Sequence, residues 1–493
     1  MFAALKEVEV LRLLLPTVLT CLAAPLAAQT VAPLPPAPVA AARPVLPTGV
    51  ATLPPPSGNP MKIDFSRDPF LRFMRDATPP TPFRETVGDA VEVHPAVTAA
   101  IQQQAEATAV RTEVRAGLFP KLDAQVVGSR SIARHLQGSK TEVERLSPTL
   151  RNDAIANVDQ LVYDFGATSS RVTAASARVK AAEAEVARVA TDTALRSVTA
   201  YYDVLTFQIL IELNAASVTR HQQILSDTQT RFKQGLGSGS EVAQAQAFLA
   251  DTQVQGIRFQ RRLDGARGNY RELFGVDAPL HLTRPLPPQS SATSLADALA
   301  LSKDAPAVSA ASAQTAAAKG DWSAAKGDAL PRLSAGVTGS LYDRSGGAED
   351  YDGRAQVLLR QTLTAGGAAQ ARIAQAKARY QRAEDVTTRI ANETARDAGV
   401  AWTDIALLES STDTLANAYE ANRRSRDMFV EQFRVSRGSL LDLLRAEQDF
   451  FNSAANYLQG AVELDVARYV LLARTGEMLP VFGIKLTSRE MGQ

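Results

Sequence analysis

The chain of 493 residues carries 53 basic and 52 acidic side chains, a balance that leaves no net field to gather nucleic acid or acidic lipid. Nucleic acid is therefore excluded as a partner. The one cysteine, Cys21, excludes a disulfide framework and a thiolate-bound metal.

In chain order, the first expected element is a signal peptide over residues 1–28. Lys6 and Arg12 precede an apolar run from Leu13 to Leu26 that ends in Ala27-Ala28-Gln29, the layout of an export signal cleaved after Ala28. The run is shorter than the roughly 20 apolar residues that a membrane helix needs, and no other segment approaches that length. Lipid attachment at Cys21 is weighed against the bulk of Thr20 before it. Residues 29–82 read as a Pro/Ala-rich tether and leader. From Val31 to Pro60 proline removes backbone donors and blocks helix, which predicts an extended, unpacked stretch.

The remainder is an internal repeat. His94-Pro95-Ala96-Val97 answers Ala305-Pro306-Ala307-Val308, and Pro120-Lys121-Leu122 answers Pro331-Arg332-Leu333, each 211 residues apart. From Gln160 onward the offset is 201 residues: Gly166 aligns with Gly367, Tyr201 with Trp402, Phe232 with Phe433, Glu241 with Asp442 and Gly275 with Gly476. Such a match dictates architecture before any motif does. It divides the chain into a first repeat (83–275), a linker (276–293), a second repeat (294–478) and a tail (479–493). The change of offset places a variable, exposed loop in the first copy, within Ser131–Arg151.

Each copy predicts helix, strand, strand, long helix, returning helix. In the first, Leu122, Ala124 and Val126 alternate with Asp123 and Gln125, and Ala154, Ala156 and Val158 with Asn157 and Asp159. In the second, Leu333, Ala335 and Val337 alternate with Ser334, Gly336 and Thr338, and Ala355, Val357, Leu359 and Leu363 with Gln356, Arg360 and Thr362. Period two gives each hairpin one apolar and one polar face. Polar loops Ser139–Asn152 and Asp343–Gly353 cap the hairpins. Proline-free sequence from Thr168 to Phe232 predicts a helix on the order of 100 Å long. Val172, Ala175, Val179, Ala182, Val186 and Val189, and Ile373, Ala376, Tyr380 and Ala383 in the second copy, keep a seven-residue seam. The helices reverse at Gly235-Leu236-Gly237-Ser238-Gly239 and Ser436-Arg437-Gly438-Ser439. Four strands cannot close a barrel in lipid, so several chains must share one; two copies would supply eight strands and three copies twelve.

These residues resemble the outer membrane efflux protein family, the TolC-like channel-tunnels, over roughly Phe83 to Met478. The resemblance is carried by the duplicated strand entries, by Val162-Tyr163-Asp164-Phe165-Gly166-Ala167 and Leu363-Thr364-Ala365-Gly366-Gly367-Ala368 at the strand exits, and by the two tips. The run from Gln432 to Glu447 is similar to the tip of type I secretion channels. The resemblance implies a mixed fold: long α-helical hairpins forming a periplasmic α-barrel, and four strands per chain contributing to a shared twelve-stranded transmembrane β-barrel. It implies a homotrimer in the outer membrane that meets a periplasmic adaptor and an inner-membrane transporter, of ABC type by the secretion-like tip. Docking falls to Gly235, Leu236, Gly237, Ser436, Gly438 and Ser439. The entrance gate falls to Glu241, Phe433, Arg437, Asp442 and Arg445, expected as a mixed charge network. Where the family commonly carries a tyrosine, a glycine and an arginine, this chain has Phe433, which lacks the hydroxyl, Ser436, and either Arg437 or its neighbour Gly438.

No catalytic, cofactor or metal site is expected. His94, His135, His221 and His281 lack zinc-site spacing, and the Gly235–Gly239 run has neither the preceding strand nor the basic residue of a phosphate loop. The expected function is the exit duct of a tripartite export system, with type I protein secretion first and small-molecule efflux as the alternative. A periplasmic coiled-coil scaffold without a pore is the reading from another class.

Overall fold

The computed structural model describes residues 52–133, 135, 150–342 and 350–484. The chain divides into two compact units, Met1–Pro47 and Thr48–Gln493, and all described residues belong to the second. The expected signal peptide, Cys21 and the two hairpin loops, 136–149 and 343–349, lie outside the described residues.

The predicted order of elements occurs twice. The first copy holds α2 (Thr81–Val93), α3 (Pro95–Ala116), β1 (Lys121–Arg130), β2 (Leu150–Tyr163), α4 (Ala167–Lys233) and α5 (Gly239–Phe274). The second holds α6 (Leu295–Leu301), α7 (Pro306–Gly327), β3 (Arg332–Tyr342), β4 (Asp350–Arg360), α8 (Ala368–Arg434) and α9 (Leu440–Arg474). A short α1 (Pro69–Arg75) precedes the first copy and α10 (Met478–Phe482) follows the second. Both long helices have 67 residues, about 100 Å at the α-helical rise.

The strands form one antiparallel sheet in the order β1-β2-β3-β4. Its register places Leu122, Val158, Val337 and Ala355 in one row and Val126, Ala154, Leu341 and Tyr351 in another. The apolar sets of all four strands thus share a single face, and it is uncovered: Leu122, Val126, Val337, Val357 and Leu359 are exposed. Asp123, Asn157, Thr338 and Arg354 share a row on the opposite face. Two details differ from expectation. Arg151–Asn152 and Asp350–Gly353 pair as strand residues, not loop, and Leu363 lies beyond the end of β4.

Below the sheet the helices stand as four columns. α3 and then α5 run along one side of α4; α7 and then α9 run along its other side; α8 closes the row against α7 and α9. Central α4 is buried on two flanks, whereas α8, at the margin, buries only Ala398, Ala401, Tyr419, Arg423, Arg426 and Asp427. Its seam residues Ile373, Ala376, Tyr380 and Ala383 are half-buried. Glycines set the spacing of α4 and α7. A methyl group on Gly320 would stand 2.9 Å from the backbone nitrogen of Ala174, and one on Gly327 2.9 Å from the backbone of Ala167. Both pairs keep seven-residue spacing, flanked by the ion pairs Arg171–Asp328 and Arg178–Asp321. Overpacking such a seam costs about 1–3 kcal/mol. Gly320→Val should therefore lower the thermal midpoint of the purified protein, while Gly265→Ala, on an open stretch of α5, should raise it slightly. Equal midpoints would show that the helices are not in contact at Gly320.

At mid-height a belt wraps α4. Phe83 of α2 packs edge-on against Tyr201 at 4.6 Å, Tyr469 at 5.9 Å and Phe482 at 6.0 Å between ring centroids. The linker is bound to α4 by Tyr201 Oη donating to the Thr283 carbonyl and Gln208 Nε2 donating to the Pro279 carbonyl, both at 2.8 Å. Parts of the leader and tail pack against this core. Pro54 is buried, Leu53 packs against the core, and Phe70, Leu71 and Met74 belong to it. The stretch expected to be unpacked through Pro60 is therefore packed at Leu53 and Pro54, while Pro55, Gly58 and Asn59 are exposed. Likewise Phe482 and Ile484, beyond the second repeat's expected end, are buried.

Candidate functional site at the helical tips

Both tips are built alike, residue for residue at the offset of 201. At the end of α4, Gly235 N–H donates to the Phe232 carbonyl and Leu236 N–H to the Arg231 carbonyl, both at 2.9 Å. At the end of α8, Ser436 N–H donates to the Phe433 carbonyl at 3.1 Å and Arg437 N–H to the Gln432 carbonyl at 2.8 Å. This is the Schellman closure of a helix, which requires a left-handed residue at its turn. Gly235 takes it at φ 76°, and Ser436 takes it at φ 59°, a conformation that costs a residue with a Cβ roughly 1–2 kcal/mol. The next two steps also match. Ser238 caps α5 and Ser439 caps α9. Gly237 and Gly438 are the tight positions: a Cβ there would stand 3.0 Å from Glu241 Oε2 and 3.1 Å from the Phe433 nitrogen, respectively.

The expected gate residues do not meet as a network within one protomer. Glu241 is spent on a capping box, accepting from Ser238 N–H at 2.9 Å while its own N–H donates to Ser238 Oγ at 3.3 Å. Asp442, its counterpart in α9, is exposed, as are Arg437 and Arg445. Among the described residues none of these three takes part in an ion pair. Phe433 does join the two tips. Its ring lies 4.6 Å beneath the Arg231 guanidinium, and its carbonyl accepts from Arg231 Nη1 at 3.4 Å. Behind it Ile224, Ala245, Leu440, Leu443 and Leu444 form a small separate core that ties α4, α5 and α9 together. Of the docking residues, Leu236 stands out: a large apolar side chain 68% exposed at the apex of a turn.

Charges buried above the tips escaped the reading of the sequence. Arg220 of α4 donates to Glu447 Oε1 of α9 at 2.7 Å, and Arg426 of α8 lies 3.6 Å from the other oxygen of Glu447. Arg426 also sits 2.6 Å from Asp427, and Asp427 is fully buried. Burial pushes the Asp427 carboxyl above its ordinary range, against the pull of Arg426, the Ser57 N–H and Arg423. Further up α8, Asp68 of the N-terminal segment accepts from Tyr419 and Arg423. Burial and the neighbouring Asp68 push the Tyr419 hydroxyl upward. Glu447 stood inside the tip run that carries the family resemblance; its hydrogen-bonded partner Arg220 is 227 residues away in the first copy.

Among the described residues no group of histidine, cysteine and carboxylate side chains is placed to hold a metal. Buried His221 stacks on Phe248, with Nδ1 at 2.9 Å from the Ser217 carbonyl, and Trp322 stacks on Tyr380 at 5.7 Å. No helix among the described residues is long and apolar enough to cross a membrane.

Residues 86–276 match the family described as outer membrane efflux protein. Outer membrane efflux protein BepC of Brucella suis biovar 1 (strain 1330) is 24% identical over 366 residues, covering 72% of this chain and 77% of BepC. Among solved structures, the outer-membrane channel OprN superposes with a TM-score of 0.73 at 18% identity, over 83% of this chain and 92% of OprN. The outer membrane protein VceC of Vibrio cholerae superposes at 0.71 and 16% identity, over 83% of this chain and 98% of VceC. The match across the first repeat, the similarity to BepC and the fold shared with OprN and VceC thus agree, and each of them is to an outer membrane protein.

Proposed function

We propose that three copies of this internally duplicated chain stand side by side, closing one twelve-stranded barrel in the outer membrane and one helical tunnel beneath it, as the exit duct of a tripartite export system. The sheet carries this reading. Its apolar face is exposed and both edge strands, β1 and β4, are unpaired within the protomer. In lipid such edges leave backbone groups unsatisfied, so they must pair with another copy. β4 of one copy runs antiparallel to β1 of the next, as a closed antiparallel barrel needs. Eight strands are filled by their own side chains, whereas twelve leave room for a lumen. The open flank of α8 receives the neighbouring protomer below.

The tips then ring the periplasmic entrance. Glu241, Phe433, Arg437, Asp442 and Arg445 line it. The surface at Gly235, Leu236, Gly237, Ser436, Gly438 and Ser439 meets a periplasmic adaptor, itself joined to an inner-membrane transporter that supplies the energy. Small-molecule efflux is favoured by the Brucella relative, which is described as an efflux protein. Type I protein secretion, with an ABC-type transporter, stands as the second reading because the run from Gln432 to Glu447 resembles secretion-channel tips.

Because Gly237 and Gly438 are required by the turns themselves, docking is tested at Leu236. In Leu236→Asp the purified protein should still cross-link as a three-copy species and conduct across planar bilayers. Export by cells carrying it should fall about tenfold or more, the effect of losing an exposed apolar anchor. A parent protein recovered from outer membranes as a monomer without conductance would overturn the duct; normal export by the variant would overturn the docking site.

A further inference from the structure

The N-terminal segment from Pro54 to Met74 crosses the tip-proximal half of α8 and is tied to it along two turns. The Pro54 carbonyl accepts from Arg426 Nη2 at 3.1 Å, and Ser57 N–H donates to Asp427 Oδ2 at 3.2 Å. Asp68, only 1% exposed, has both oxygens occupied. Its Oδ1 accepts from the N–H groups of Phe70 and Leu71, capping α1; its Oδ2 accepts from Tyr419 Oη at 2.8 Å and Arg423 Nη1 at 2.5 Å. Phe70, fully buried, packs on Tyr419 at 5.0 Å and on Tyr457 of α9 at 6.0 Å.

Tyr419, Arg423, Arg426 and Asp427 recur at three- to four-residue spacing and so share one face of α8. They are four of the six buried residues in its 67, and every one of them touches this segment. The far end of the segment is anchored elsewhere. Arg284 Nη1 donates to the Met74 carbonyl at 2.6 Å, and Thr78 exchanges backbone bonds with Arg284 and Leu286 in the linker that is bound to α4. The segment thus joins α8 to the long helix of the first copy, on which α8 has no broad contact of its own.

We propose that Pro54–Met74 is a clasp that fixes the tip-proximal half of α8, with Asp68 as its pin, and that releasing the pin lets the α8–α9 tip move outward and widens the tunnel entrance. The widening rests on the reading of the tips as the entrance; the clasp itself does not. Without the Asp68 carboxylate, the buried guanidinium of Arg423 loses its direct ion-pair partner and keeps only Asp427, which Arg426 already engages. Arg423 stands 11 residues before the end of α8, roughly 16 Å from the tip. The α4–α5 tip has no tie to this segment but meets the α8–α9 tip through Arg231 and Phe433, so helix α3, at the sheet end of α4, serves as the internal reference.

The full-length protein is compared with Asp68→Asn by amide hydrogen exchange and by single-channel conductance. Exchange over residues 419–434 should quicken by about tenfold or more, with residues 98–116 of α3 unchanged, and conductance should rise. The double variant Asp68→Asn/Arg423→Gln, which replaces the charged pair by a neutral hydrogen-bonding one, should restore both towards the parent. Should Asp68→Asn fail to assemble, Tyr419→Phe removes one of the four bonds to the carboxylate and should move both readouts in the same direction by less. Unchanged exchange over 419–434, or an equal rise over 98–116 of α3, overturns the clasp whether or not the parent conducts. Selective loosening without a conductance change in a conducting parent overturns its control of the entrance. A parent that does not conduct overturns the duct reading and leaves the clasp to be decided by exchange alone.

Discussion

Arg284→Ala should cost about 3–5 kcal/mol of stability at neutral pH, the loss expected when one member of a buried ion pair is removed. Arg284 grips Asp465 of α9 with two parallel bonds, Nε to Oδ2 at 2.6 Å and Nη2 to Oδ1 at 3.0 Å, and Asp465 is fully buried. Burial raises the Asp465 carboxyl above its ordinary value even with the hydrogen bonds and charge of Arg284 pulling it down. Without Arg284 it must rise further. A carboxyl raised by folding takes up its proton more readily in the folded state. Its stabilising contribution is therefore present below the ordinary carboxylate pKa and is lost as pH rises through the folded value. The deficit of Arg284→Ala should accordingly be largest near about pH 7 and shrink towards about pH 4, where the buried carboxyl is neutral. Thermal melts of parent and variant at both pH values would measure this. A deficit independent of pH would mean that the variant fails through lost packing at Met74 and the belt, not through an uncompensated charge. Replacing both partners, as Arg284→Met/Asp465→Leu, should recover most of the loss.

What the sequence discloses about this protein is what repeats at short period or at a fixed offset. Alternation over Leu122–Val126 and Ala154–Val158 identified sets that the sheet register places on one face. The offset of 201 anticipated that Gly235 and Ser436, Ser238 and Ser439, and Glu241 and Asp442 would hold equivalent places. Single contacts between remote segments leave no such trace. Asp68 and Arg423 are 355 residues apart, and neither has a periodic neighbour that advertises the pair. The proline-rich composition before Asp68 argued for unpacked chain, yet Pro54 offers a carbonyl that Arg426 can use, which a proline retains. The two tips also differ in the reach of their aligned charges. Glu241 and Asp442 align, but the longer side chain reaches back to its own helix cap and the shorter does not. The alignment of charges therefore said little about which of them remain free to face a neighbouring copy. Nor does duplication imply equal burial: α4 stands between two columns and α8 at the margin.

Val158→Arg should abolish assembly in the outer membrane, while Asn157→Arg, one residue away, should not. Val158 lies near the middle of β2, in the apolar row with Leu122, Val337 and Ala355. If that row faces hydrocarbon, an arginine there costs about 2–4 kcal/mol per protomer, and three symmetry-related copies bear the cost together in one barrel. Asn157 belongs to the opposite face, where its partners across the strands are Asp123 and Thr338, with Arg354 one strand further. An arginine at that position points into the lumen, stays hydrated and has Asp123 directly across from it as a counter-charge. The two variants carry the same added charge on the same strand, so any difference between them reports the face and not the charge. Outer-membrane fractionation, with the three-copy species resolved by cross-linking, gives the readout. Val158→Arg should be recovered in inclusion bodies or degraded, whereas Asn157→Arg should assemble to parental yield with altered conductance. Equal recovery of both would mean that the exposed apolar face does not meet lipid; loss of Asn157→Arg alone would mean that the sheet is turned inside out, with Leu122, Val158 and Val337 lining the lumen.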